Sequence, residues 1–130
     1  MKIINASKEN LSAKERYMLT MSPKTQKMSE QVGSIIPIAI WCEFLDTKEE
    51  KKDGKVVMEN GEPKMVDEHI FSIVTTDGET FATNSATLMA DFKAMLDCFK
   101  DSGEELKAIE IISGTSKTGR EFITCAYAEI

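Results

Sequence analysis

The stretch "IVTTDGETFATNSATLMADFKAML", residues 73–96, sets a turn between two β-prone runs and then changes its period. The runs are "EHIFSIVTT" (68–76) and "ETFAT" (79–83), rich in β-branched and aromatic residues. Asp77-Gly78 between them tolerates the positive φ angles of a tight two-residue turn. From Leu88 the apolar residues recur at spacings of three and four, through Phe92, Met95, Leu96 and Phe99. That period predicts a helix over 85–100, capped by Ser85 or Thr87, with its Met and Phe stripe packed in a core.

The flanking segments extend the pattern. "SIIPIAIWCEFLD" (34–46) reads as a long buried strand, with a bulge or strand edge at Pro37, which cannot donate to a ladder. Its even-numbered residues (Ile36, Ile38, Ile40, Cys42, Phe44) are all apolar and read as the core face, while Trp41 and Glu43 read as the exposed face. "TKEEKKDGKVVMENGEP" (47–63) reads as a long polar loop or an extended solvated hairpin in which Val56, Val57 and Met58 pair briefly. "ELKAIEIISG" (105–114) and "REFITCAYAEI" (120–130) read as two final strands. Ahead of these, "RYMLT" (16–20) suggests a short strand. In "MSPKTQKMSEQVG" (21–33), Ser22, Pro23 and Gly33 punctuate a short helix or turn.

The order is strand, long loop, strand, turn, strand, helix, strand, turn, strand. That is the order of an OB-fold, a mainly-β, five-stranded, partly open barrel with one helix between strands three and four. Residues 1–32 are expected as an N-terminal extension and 33–130 as the OB-fold domain. Such barrels bind oligomers on the face of strands two and three and through the loops joining strands one–two and four–five. Here those loops are 47–63 and 114–119.

Composition narrows the function. Hydrophobic residues are 42% and charged residues 29% of a 130-residue chain, which supports a folded core over disorder. The longest apolar run, "IIPIAIW" (35–41), is too short to span a membrane, and "MKIINASKEN" lacks the apolar core of a secretion signal. The expected location is cytoplasmic. Three cysteines without a CxxC pair suit a reducing compartment, and a single histidine, His69, cannot build a zinc cluster. No metal or cofactor is expected. The 22 carboxylates single out no catalytic pair, so an enzyme is not expected. Net charge is −6, which disfavours nucleic acid, yet residues 1–34 carry six basic and only three acidic residues.

Within the acidic remainder, "SGTSKTGREFIT" (113–124) is a basic island. A phosphate loop would need Lys-Ser/Thr after the second glycine and then a helix, whereas a strand follows here. Two readings remain: a plain hairpin turn, or a hairpin that displays Ser116, Lys117, Thr118 and Arg120 to phosphate oxygens.

Together, "IVTTDGETFATNSATLMADFKAML" and "LKAIEIISGTSKTGREFIT" give residues 33–130 a resemblance to the small single-stranded-DNA-binding proteins of protein-primed Bacillus phages. Related proteins of Gram-positive phages and conjugative elements are similar. The resemblance implies an OB-fold that coats single-stranded DNA without sequence preference in phage or plasmid replication or transfer. RNA is a further candidate ligand, and self-association along the strand a further expectation. It implies stacking aromatics on the strands, where Phe44 and Phe81 stand at positions that carry tyrosine in the family. Trp41, Phe71 and Tyr127 are further candidate platforms, and strand parity favours Trp41 over Phe44. Candidate phosphate partners are Lys117, Arg120, Lys51, Lys52, Lys55 and Arg16. The rival reading is an OB-fold protein-interaction module of a mobile element that binds no nucleic acid.

Overall fold

A computed structural model describes all 130 residues. The protein is mainly β, with two α-helices. Its elements are β1 (Lys2–Ala6), α1 (Ala13–Thr20), β2 (Gln26–Lys27), β3 (Ile35–Pro37), β4 (Ile40–Glu49), β5 (Lys51–Lys52), β6 (Lys55–Val56), β7 (Met58–Glu59), β8 (Glu62–Pro63), β9 (Met65–Val74), β10 (Thr80–Thr83), α2 (Ala86–Phe99), β11 (Ala108–Thr115) and β12 (Glu121–Tyr127). A 3-10 turn covers Met28–Glu30.

Two sheets carry the structure. One runs β1-β4-β9-β10-β2, the other β12-β11-β3. The single predicted strand 34–46 supplies both. Pro37 ends β3, which pairs with β11, and the chain bends at Ile38-Ala39 before β4 pairs with β9. The bend is held by Ile38 N–H donating to Lys107 O (2.7 Å) and Ala39 N–H donating to Val74 O (2.9 Å). No pairing joins β10 to β12, so the sheets stay open.

The inner half of the β4–β9 ladder, residues 40–44 against 70–74, is covered on both faces. Phe71, Ile73 and Phe81 point into the main core with Leu88, Met89 and Phe92 of α2 and Ile109 and Ile111 of β11. Trp41 packs there too, with ring centroids 6.1 Å from Phe71 and 5.2 Å from Phe92. On the other face, Cys42 and Phe44 meet Leu19 of α1, with Ile3 and Leu11 alongside. Cys42 and Phe44 are thus buried as expected, under the N-terminal segment, whereas Trp41 and Glu43, expected on an exposed face, are covered as well.

Residues 1–32 do not stand apart from this body. β1 adds a strand to β4, β2 pairs in parallel with β10, and Met28 is fully buried in the main core. Where a strand was expected over 16–20, α1 forms instead. Ser12 accepts from Glu15 N–H, and the Glu15 carboxylate accepts from Ser12 N–H, a reciprocal cap. Lys8 pairs with Glu15 at 2.6 Å and, with the cap, lowers its carboxyl pKa.

α2 begins at the Ser85 cap, as expected, and packs on β12. At the edge of the main core Glu43 is 3% exposed, and its Oε2 lies 2.7 Å from His69 Nε2 and 2.8 Å from Lys93 Nζ. That oxygen has no aligned hydrogen bond, so the Lys93 ammonium, with the His69 ring beside it, compensates its burial. No helix is long and apolar enough to cross a membrane.

Two kinds of turn follow from local chemistry. Asp77-Gly78 belongs to a three-residue turn, in which Thr75 pairs with Glu79 and only Gly78 is left-handed (φ 85°). Thr75 Oγ1 accepts from Glu79 N–H at 3.1 Å and holds it. Ser116 and Arg120 build the same turn around Gly119. Segment 47–63 is more ordered than a loop. Past the β4–β9 ladder the chain forms two separate hairpins, β5–β6 and β7–β8, rather than one around Val56–Met58. Each turns through two left-handed residues, Asp53-Gly54 and Asn60-Gly61. Their bases close a ring: Glu50 N–H donates to Lys64 O, Lys64 N–H to Val57 O, and Val57 N–H to Glu50 O, each at 2.8 Å. The result is a cloverleaf arm with two fingers.

Candidate nucleic-acid interface

The gap left between β10 and β12 is a cleft of about 1090 Å³. Glu68 and Ile70 of β9 and Ala82 of β10 contribute the sheet side. Lys27, Ser29 and Val32 of the N-terminal segment form one wall, and Ser113, Ser116 and residues 120–123 of the β11–β12 hairpin contribute the other. Asn84, Ser85 and Thr87 line the end where α2 begins. Ser85 Oγ donates across to Ile123 O at 3.2 Å, a bridge that ties the two sides.

The lining mixes hydroxyl and amide side chains with six hydrophobic residues, one of them aromatic. Phe122 stands opposite Gly114 in the β11–β12 register. A Cβ placed on Gly114 would lie 2.5 Å from Phe122 Cζ, so the missing side chain is what lets the ring lie against the backbone. Phe122 remains 37% exposed. A ring backed by one strand and open on its other side is a ready stacking surface, because every base has a π-face.

The charges are unevenly committed. Lys27, Lys117 and Arg120 are exposed and make no ion pair. Of the two lining carboxylates, Glu68 is paired with Lys48 at 2.6 Å and accepts from Asn84 at 3.1 Å. The Lys48 hydrogen bond holds the Glu68 carboxyl below its ordinary range, against the opposing effect of partial burial. Glu121 at the rim has no cation partner. The free cations therefore outnumber the free carboxylate along the hairpin side.

The structure gathers only part of the residues expected from sequence. Ser116 and Arg120 line the cleft, and Lys117 stands exposed at the adjoining tip. Ser116 has a structural duty, since its hydroxyl accepts from Arg120 N–H at 3.1 Å and lies 3.0 Å from Thr118 Oγ1. Phe44, Phe71 and Phe81 are 3%, 2% and 6% exposed and present no face to a base. Their correction has one cause: both sides of the strands that carry them are covered. Trp41 is half-buried among Phe71 and Phe92. Tyr127 is exposed but packs on Phe99, with centroids 5.5 Å apart, away from the cleft. Arg16 lies on the outside of α1, and Lys51, Lys52 and Lys55 lie on the arm; none lines the cleft.

Lys27 and Phe122 were not singled out from the sequence. For Phe122 the signal was present: counting back from the Ser116–Arg120 turn sets it opposite a glycine. Lys27 carried no such signal, because its place depends on β2 pairing with β10. No group of three or more His, Cys, Asp and Glu side chains comes together to hold a metal ion. No protein-family model, curated protein or solved structure matches the chain.

Proposed function

We propose that this chain binds single-stranded nucleic acid, DNA in the first place, without sequence preference, on an open OB-like barrel. Its five main strands run β10-β9-β4 and β3-β11-β12, with β3 and β4 acting as one bent strand and α2 between the third and fourth. This order and the open third-to-fifth edge support the OB-like reading. The observation that carries the function is the cleft at that edge, where Phe122 lies fixed against Gly114 beside unpaired Arg120, with unpaired Lys27 on the other wall. Stacking of one base on Phe122 contributes about 1–3 kcal/mol, and each neutralised phosphate adds a salt-dependent increment. Cleft hydroxyls and backbone amides complete contacts that read no particular base. The resemblance to phage single-strand-binding proteins suggests replication or transfer of a phage or plasmid as the setting.

The rival reading draws on the net charge of −6 and makes the same cleft a protein-docking site. Fluorescence anisotropy with labelled oligo-dT, over a salt series and with a duplex control, separates the two. Salt-sensitive binding to the single strand alone is expected. Absence of binding even at low salt sinks the nucleic-acid reading and leaves protein docking.

A further inference from the structure

The cloverleaf arm carries a charge pattern that the cleft does not use. The β5–β6 finger holds Lys51, Lys52 and Lys55 against Asp53, a net +2, and the β7–β8 finger holds Glu59 and Glu62, a net −2. All six side chains are exposed, and none forms an ion pair within the chain. Both fingers are held in place by two left-handed turn residues and by the ring of backbone hydrogen bonds through Glu50, Val57 and Lys64. A cationic and an anionic finger thus spring from one hydrogen-bonded base.

We propose that the arm is a self-recognition surface, on which the basic finger of one copy docks against the acidic finger of a second copy. A two-fold axis between the arms makes the contact twice, Lys51, Lys52 and Lys55 of each copy facing Glu59 and Glu62 of the other, and closes the pair as a dimer. Charge complementarity selects this occupant, because each finger is the opposite of its neighbour and an identical chain supplies both. Met58 (57% exposed) and Met65 (52%) on the same arm add apolar contact to the pair. The hydrogen-bonded backbone of the fingers has little freedom left to lose on docking. The contact is small, so the dimer is weak and salt-sensitive.

Sedimentation velocity on the full chain without nucleic acid tests this independently of the cleft. The wild type is expected to dimerise at about 10 mM salt, where charges act over about 30 Å, and to dissociate near 1 M, where they act over about 3 Å. Lys51→Glu/Lys52→Glu/Lys55→Glu makes both fingers acidic, and Glu59→Lys/Glu62→Lys makes both basic. Each variant alone is expected to be monomeric, and an equimolar mixture is expected to restore the dimer as a heterodimer. A wild type that is monomeric at low salt overturns the proposal. So does a dimer that survives either reversal, or a mixture that stays monomeric. If the lysine variant loses oligo-dT binding while the wild type is monomeric, the basic finger is a nucleic-acid contact instead.

Discussion

Two hairpins end in basic tips, and the fold puts them to different uses. Lys117 and Arg120 cap the β11–β12 hairpin, whose strands border a cleft containing a positioned aromatic ring. Lys51, Lys52 and Lys55 cap a finger of the β4–β9 arm, beyond the end of the core and beside an acidic twin. As sequence they look alike: lysines around a glycine turn. What separates them is the surface beneath the turn. A cation next to an apolar stacking surface can hold a base and its phosphate together, whereas a cation on an isolated finger offers charge alone.

The sharpest way to break this contrast is to exchange the roles of two phenylalanines. Phe71→Ala empties a core site against Trp41 and Phe92 and is expected to destabilise the fold by about 3–5 kcal/mol, read as a large drop in the thermal midpoint. Phe122→Ala is expected to leave the fold intact and weaken oligo-dT binding by about 5- to 150-fold, the worth of one stacked base. Anisotropy and thermal melts on both variants check the pair. Near-wild-type binding by Phe122→Ala would remove the ring from the site.

A smaller effect is expected at the two tips. Arg120→Ala should lower the slope of log affinity against log salt by about 0.7, one phosphate contact to a single strand. Lys52→Ala should leave that slope unchanged. Equal losses at the two positions would erase the distinction between cleft and arm.

The smallest effect concerns thiols. Cys98 is exposed, while Cys42 and Cys125 are buried. Burial first, and then Asp91, pushes the Cys125 thiol up to about 12, and burial also raises Cys42 against the opposing Ser72 hydrogen bond. Because the thiolate is the reactive form, the native protein should release one equivalent of colour with a disulfide reagent at mildly alkaline pH, and three once unfolded. Three in the native state would contradict the packing around β4 and β12.

Much of the frame was legible because it rests on local signals. The α2 period, the Ser85 cap and the strand runs flanking both glycine turns are read within a dozen residues. The rest depended on contacts distant in sequence. β4 misled because alternation assumes one dry face, and the N-terminal segment dries the second. That segment was hard to read because α1 buries one residue, Leu19, and the following turn one more, Met28; two isolated anchors make no period. Asp53-Gly54 and Asn60-Gly61 were visible hairpin signals seven residues apart, hidden by the charge around them. Asp77-Gly78 gave the right hairpin with another turn, because Thr75 closes the loop one residue wider.

Amide chemical-shift mapping with oligo-dT locates the site residue by residue. The shifts are expected to cluster on Lys27–Val32, Ala82–Thr87 and Ser113–Ile123, with the fingers at 51–63 silent. Shifts concentrated on the fingers, or none at all with the oligonucleotide in excess, would contradict this placement.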